Sequence, residues 1–301
     1  MMKKLAWMLL TGMAVCGLAA CGSSSTESTT AAETAAQTEA AAQTEAAAAA
    51  AEDSAETEDL GRLGDILEAG KIIVCTSPDY APYEFEDPNK SGQDKYVGAD
   101  MELARYIADE LGVELEISAM DFDACLAAIG AGRADLGLIG MVPKEERLTM
   151  MDFTEVYYDD GDQYIVIMKD RDAEFPDLAS FAGKTVAAQN GTLQAQLVTE
   201  QLPDTSMEII SKVTDGILML RSGKIDGIAV ASVVAKNLVE NNDDLVIAQE
   251  KFEYTSLGVV GGVPKGETAL VERLNEIIDG VIESEIYFQW IDEANELAAG
   301  M

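Results

Sequence analysis

Two short segments of this chain follow one grammar. Ala131-Gly132-Arg133-Ala134-Asp135 and Ser222-Gly223-Lys224-Ile225-Asp226 each end a helical pattern in glycine, with a base near that helix C-terminus. Each then opens an apolar run with aspartate. The runs, Asp135 to Ile139 and Ile225 to Val230, read as buried strands. A duplication of this kind implies two domains of one design. Asp135 and Asp226 themselves read as turn or cap residues.

The flanking pattern agrees. In the first run, Ile66 to Ala69 closes a helix stopped by Gly70, and Lys71 to Cys75 is a β-branched strand. Asp100 starts a helix whose apolar positions are Met101, Leu103, Ala104, Ile107, Ala108 and Leu111. Val113 to Ser118 is a strand and Phe122 to Ala131 a helix. In the second run, Lys184 to Ala188 and Met207 to Ile210 are strands. Thr192 to Leu202, Asp215 to Leu220 and Ser232 to Val239 are helices. Alternation of this kind predicts an α/β fold with helices on both faces of a sheet. Ligands of such sheets bind beyond the strand C-termini. That directs attention to Gly140 to Arg147 and to Ala231 to Val234.

Charge excludes several functions. The 301 residues carry 20 Lys plus Arg against 55 Asp plus Glu and no histidine, a formal net charge of -35. Such a chain is repelled by phosphate backbones, so no nucleic-acid partner is expected. Without histidine there is no Ser-His-Asp triad, no Cys-His dyad and no imidazole metal ligand. No cofactor or metal is expected.

The acidity is unevenly spread. Lys3 and Lys4 precede an apolar stretch, Leu5 to Val15, too short to span a bilayer and suited to a signal peptide over residues 1–20. It ends in Leu18-Ala19-Ala20-Cys21-Gly22, which resembles a bacterial lipobox, in which Cys21 would take the lipid. Residues 22–59 are Ser, Thr, Ala, Gln and acids, with a repeated Ala-Ala-Gln-Thr-Glu-Ala hexad, nine acids and no base. Nothing there can bury a core, so residues 21–59 read as a lipidated, disordered tether reaching roughly 35 Å. The remaining cysteines, Cys75 and Cys125, sit in apolar runs and read as unpaired core residues.

Further segments carry a family resemblance. They are Asp79-Tyr80-Ala81-Pro82-Tyr83-Glu84-Phe85, Tyr96-Val97-Gly98-Ala99-Asp100, Met120-Asp121-Phe122-Asp123, the Gly140 to Arg147 loop, Asp152-Phe153-Thr154 with Tyr157-Tyr158, and Gln189-Asn190-Gly191-Thr192. In this order they resemble the family 3, polar amino-acid type, extracytoplasmic solute-binding proteins of ABC transporters, over about residues 60–301. The resemblance implies a two-lobed periplasmic-binding-protein type II fold, with domain two inserted in domain one and two crossover hinge strands. Lobe one would be 60–166 plus 257–301 and lobe two 167–256, with crossovers near Gln163 to Met168 and Ser256 to Gly262. Trp290 would pack on lobe one. The implied function is a monomeric, membrane-anchored receptor on the extracytoplasmic face. It would capture an amino acid or similar small carboxylate between the lobes and deliver it to an ABC permease. A dehydratase-like enzyme on the same fold, with Glu84 as its acid or base, and a sensor subunit are the alternatives.

The same resemblance nominates site residues. Arg147 would fork onto a ligand carboxylate, against the plainer reading of a surface ion pair with Glu145 or Glu146. Gly191 and Thr192 would offer a helix N-terminus to that carboxylate, and Thr192 also reads as an ordinary N-cap. Tyr80 and Phe122 would sandwich the ligand side chain, with Tyr83 nearby. Gly140 and Val142 would make backbone contacts. Two positions depart from the family. Val142 stands where Ser or Thr is frequent, and Ala231 where an acid often pairs with the ligand ammonium. Asp79, Glu84, Asp159, Asp160 and Asp162 are the substitutes in reach; otherwise cation–π and backbone contacts suffice, or the ligand is not a standard α-amino acid. Ser77 stands where binders of basic amino acids often carry an acid, which argues mildly against Lys or Arg as ligand.

Overall fold

The computed structural model describes residues 60–301; the signal segment, Cys21 and the tether lie outside the described residues. The first stretch runs α1 (Gly61–Ala69), β1 (Lys71–Thr76), β2 (Asp79–Tyr80), β3 (Glu84–Glu86), β4 (Tyr96–Val97), α2 (Ala99–Leu111), β5 (Glu114–Ala119), α3 (Phe122–Gly130), β6 (Leu136–Gly137) and β7 (Met151–Tyr158). The second runs β8 (Gln163–Met168), β9 (Thr185–Gln189), α4 (Leu193–Gln201), β10 (Ser206–Ile210), α5 (Val213–Arg221), β11 (Gly227–Ala231), α6 (Ser232–Asn241) and β12 (Leu245–Ile247). The chain then returns through β13 (Val259–Pro264), α7 (Thr268–Ser284) and α8 (Ile286–Ala299).

Two five-stranded sheets share one plan. The first has order β5-β1-β6-β13-β7, the second β10-β9-β11-β8-β12. In each, three parallel strands are followed by an antiparallel one, β13 or β8. The chain passes from the first sheet to the second between Tyr158 and Gln163, and returns between Ile247 and Val259. Gln163 to Met168, predicted as a crossover, is a full strand of the second sheet. A small antiparallel sheet, β2-β3-β4, sits at the end of β1.

The paired aspartates act as matching clamps within the two sheets. Asp135 Oδ2 accepts the Ile73 N–H of β1 at 2.6 Å, and its Oδ1 meets Arg62 at 2.6 Å. Asp226 Oδ2 accepts the Thr185 N–H of β9 at 2.8 Å, and its Oδ1 meets Arg171 at 2.8 Å. Each therefore ties the start of its own strand to the neighbouring one, which a turn or cap role does not require. The strand expected over Asp135 to Ile139 is only two residues long. Leu138 and Ile139 are buried, but by then the chain is turning into the loop that carries the site.

Local sequence explains the rest. In α2 the predicted apolar stripe is buried from Met101 to Ala108. Gly98, at φ 118°, lies so close to the Tyr83 carbonyl that an added Cβ would sit 2.3 Å from its oxygen, so only glycine fits. Trp290 packs beside Tyr106 and Tyr287, in the layer of α2 and α8. Cys75 and Cys125 are buried and free.

Candidate functional site

A cavity of about 390 Å³ opens where the strand ends of the two sheets face one another. Its first wall is Ser77, Tyr80, Glu84, Phe122, residues 139–142 and Arg147. Its second wall is Gln189, Thr192, Leu193 and Gln194, and Asp160 lines it from the crossover.

Arg147 sits in a short 3₁₀ turn after the loop that leaves β6, and only 3% of it is exposed. The surface ion pair does not form: Glu146 is held by Lys144 at 2.6 Å instead. The guanidinium donates from Nη1 to the Val142 carbonyl at 2.8 Å and from Nη2 to the Gly191 carbonyl at 2.9 Å. It lies over the Phe122 ring at 5.5 Å. Nε is buried without a partner. Among the described residues no carboxylate reaches ion-pair distance of it. Burial pulls the guanidinium down to about 10, the direction expected of a cation taken out of water. A buried charge held only by neutral carbonyls is costly, and an anion in the cavity would offset that cost.

The other nominated residues divide. Tyr80 and Phe122 line the cavity. The Tyr80 hydroxyl accepts the Ala231 N–H at 3.0 Å, so this ring also bridges the two halves. Tyr83 does not reach the cavity. It is fully buried behind Tyr80, the rings stacked at 6.0 Å, with its hydroxyl unpartnered. Gly140 lines the cavity, yet its N–H is committed to Asp100 Oδ2 at 3.0 Å. Its φ of 56° and the 3.2 Å gap from an added Cβ to Tyr80 explain glycine there. The Val142 side chain packs into the apolar core of the second half, where a hydroxyl would be poorly placed.

Thr192 caps α4, its Oγ1 accepting from Ala195 N–H at 3.2 Å and donating to the Gln189 carbonyl at 2.7 Å. The first turn of α4 then faces the cavity through Leu193 and Gln194. Gly191 contributes its carbonyl to Arg147 and is outside the cavity lining. The helix N-terminus and the Arg147 fork therefore approach the same space from opposite halves.

The family model for bacterial extracellular solute-binding proteins, family 3, matches residues 72–293. The chain belongs to this family. The arginine-binding extracellular protein ArtP of Bacillus subtilis is 33% identical over 213 residues, covering 69% of this chain and 79% of that protein. The amino acid ABC transporter substrate-binding protein AbpA from Streptococcus pneumoniae, solved with L-arginine bound, has a TM-score of 0.74 at 34% identity, covering 78% of this chain and 99% of that one. An ancestral amino-acid-binding protein described as a precursor of cyclohexadienyl dehydratase has a TM-score of 0.70 at 26% identity, covering 77% and 99%. The fold is therefore the two-lobed type II periplasmic-binding-protein fold, and the cavity is the cleft of a family 3 solute-binding protein.

Within this family 3 cleft the acids fall into distinct settings. Glu84 is fully buried and lines the cavity; no N–H or hydroxyl donor reaches either of its oxygens, and its carboxyl shares a hydrogen bond with that of Asp100. Burial pushes it well above the usual carboxylate range, and Asp100 and Asp79 add to the effect. Asp100 is better served: its Oδ1 accepts from Tyr157 at 2.9 Å and Tyr287 at 2.6 Å. Asp160 is 3% exposed, with donors at both oxygens. Asp79 is committed elsewhere, to Ser77 at 2.8 Å and the Val213 N–H at 2.6 Å, and so joins the first half to α5. Asp159 is exposed, and Asp162 pairs with Lys251.

Gln189 and Gln194 line the cavity and were not nominated from sequence. A glutamine in the first turn of a helix carries no signal of its own. Gln189 was visible only as part of the motif that opens β9's exit turn.

Proposed function

We propose that this protein captures an amino acid with a cationic side chain, best matched by L-arginine, and delivers it to an ABC permease. Arg147 carries the reading. It is a buried cation in the cleft wall, held only by carbonyls, and a ligand carboxylate supplies its missing charge. The first turn of α4 faces the same carboxylate from the opposite half.

The cationic side chain is supported by the rest of the lining. Glu84 and Asp160 give the cavity two acids against one base. A guanidinium offers five donors, enough to serve the bare oxygens of Glu84. Tyr80 and Phe122 supply aromatic faces along its stem. Ser77, which by itself argues mildly against a basic ligand, is outweighed by these two acids and by the arginine-binding relatives. Capture would favour the closed arrangement of a hinge whose segments are 159–162 and 248–258.

Lobe one is assigned to 60–166 plus 257–301 and lobe two to 167–256, and the pairing of β8 with β11 argues for moving the first boundary toward residue 162. Lipidation at Cys21 on the extracytoplasmic face is supported by the Lys3, Lys4, Leu18 to Cys21 pattern, and the permease partner by the family. Binding without turnover is supported by the binding-protein relatives.

Calorimetric titration of the protein with L-arginine, L-lysine, L-glutamine and agmatine tests this. Arginine should bind best, and Arg147→Ala should weaken it about 100-fold or more, the scale for removing one side of a buried charge pair. Agmatine has no carboxylate. If it binds as well as arginine, the role of Arg147 is refuted. Recovery of chemically altered arginine would instead support an enzyme.

A further inference from the structure

An α-amino acid brings an ammonium as well as a carboxylate, and the position that often answers it in this family is Ala231, which has no acceptor. We propose that Asp160, on the crossover between β7 and β8, takes the ligand's α-ammonium in its place, and that this contact ties ligand capture to the hinge. The inference rests on the amino-acid reading above.

Placement favours Asp160 over the other acid. Its carbonyl accepts from Ser232 Oγ at 2.9 Å, so it lies beside the residue that follows Ala231, and it lines the cavity. The ammonium of an α-amino acid is one carbon from the carboxylate, so its acceptor must lie next to the carboxylate subsite. Asp160 is linked to that subsite by a short chain of hydrogen bonds. Gln194, in the first turn of α4, donates to Gln163 Oε1 at 2.7 Å, and Gln163 Nε2 donates to Asp160 Oδ2 at 2.8 Å. Glu84 has no such link; its near neighbours are Asp100 and Asp79, which suits the far end of a long side chain.

Its chemistry fits as well. The donors on Asp160 are the Ser256 hydroxyl at 2.9 Å and the Gln163 amide, both neutral. Each carboxylate oxygen has lone-pair capacity for a second hydrogen bond. No lysine or arginine among the described residues pairs with it, while neighbouring Asp162 is neutralised by Lys251. A buried carboxylate with only neutral donors lacks one positive charge. Ser256 belongs to the return crossover, so the carboxylate already bridges both hinge segments. An ammonium bound there bears on both.

The test compares L-arginine with its desamino analogue, 5-guanidinopentanoate, which differs only at the α-position. The wild-type protein should prefer arginine about 100-fold, the usual scale for a hydrogen-bonded buried charge. In Asp160→Asn that preference should collapse to within a few-fold, with the analogue bound nearly as before. Adding Ala231→Asp to this variant should restore it. Ser256→Ala keeps the charge and removes the crossover bond, so it should keep the preference. An Asp160→Asn protein that still prefers arginine overturns the assignment. So does a Ser256→Ala protein that loses the preference as fully, since the aspartate would then act only as scaffold. A wild-type protein that binds neither ligand overturns the amino-acid reading itself, and this inference with it.

Discussion

Asp135 and Asp226 fasten the two sheets in the same way, yet the halves they fasten treat their buried polar groups differently. Among the described residues, the buried side-chain atoms that no amide, hydroxyl or carbonyl group serves are Thr76 Oγ1, the Tyr83 hydroxyl, both oxygens of Glu84 and Nε of Arg147. All belong to the first half. In the second half the cleft residues Gln163, Gln189, Thr192 and Gln194 are all hydrogen-bonded. Buried polar groups are usually paired, and exceptions gather where function requires them. The first half therefore holds the unsatisfied charged groups of the cleft at a cost to its own stability. The second half is closer to a satisfied scaffold that closes over them.

The shared clamp gives the largest expected effect on stability. Asp135→Asn removes a charged acceptor from the Ile73 N–H and from Arg62, and should destabilise the protein by about 2 kcal/mol. Asp226→Asn should cost about half as much, because Asp226 is the more exposed of the two and Arg171 keeps Glu174 at 2.9 Å. Urea denaturation of both variants checks the pair. Equal losses would mean that the clamps are equivalent and that the halves differ only at the cleft.

The unpaired acid of the first half gives the next. Burial raises Glu84 well above its ordinary value, so the folded protein holds this proton at pH values where the unfolded chain has released it. Stability should then fall as pH rises above the ordinary carboxylate range, toward the raised value, by up to about 1.4 kcal/mol per pH unit. Asp100 is raised in the same direction and adds to the slope. Glu84→Gln should flatten that slope, as read from melts across pH. It should also remove the gain in arginine affinity with rising pH that follows if a guanidinium binds the ionised carboxylate. A slope unchanged in Glu84→Gln would mean that the first half is no more strained than the second.

Which of these features a sequence can carry follows from how local they are. The strand-helix alternation, the two turn-and-aspartate segments and the stripe of α2 depend on neighbours a few residues apart, and all were legible. Arg147 was legible through its family motif, although its burial was not: a base beside Glu145 and Glu146 looks like a surface residue until Lys144 takes Glu146 away. Distant pairings were not legible. The Gly140 N–H goes to Asp100, forty residues back, and nothing near either residue announces it. Among the acids from Asp79 to Asp162, only the packing of the crossovers separates Asp160, facing the cavity, from Asp159, facing solvent.

Tyr83 offers the finest test of the contrast between the halves. From sequence it is placed near the Tyr80 and Phe122 pair at the ligand, but it lies behind Tyr80 with no exposure, and its hydroxyl has no acceptor. A buried hydroxyl without a partner is a net cost, while the ring beneath it packs well against Tyr80 and Tyr158. Tyr83→Phe keeps the ring and removes the cost, so it should be neutral or stabilising by up to about 1 kcal/mol, with arginine affinity unchanged. Tyr157 is the matched control. It is equally aromatic and nearly as buried, but its hydroxyl donates to Asp100 at 2.9 Å. Tyr157→Phe should therefore destabilise by about 1–2 kcal/mol, since it leaves a buried carboxylate short of a donor. If the two substitutions shift the melting temperature in the same direction, hydrogen bonding is not what distinguishes them, and the strain assigned to the first half must lie with Thr76, Glu84 and Arg147 rather than with Tyr83.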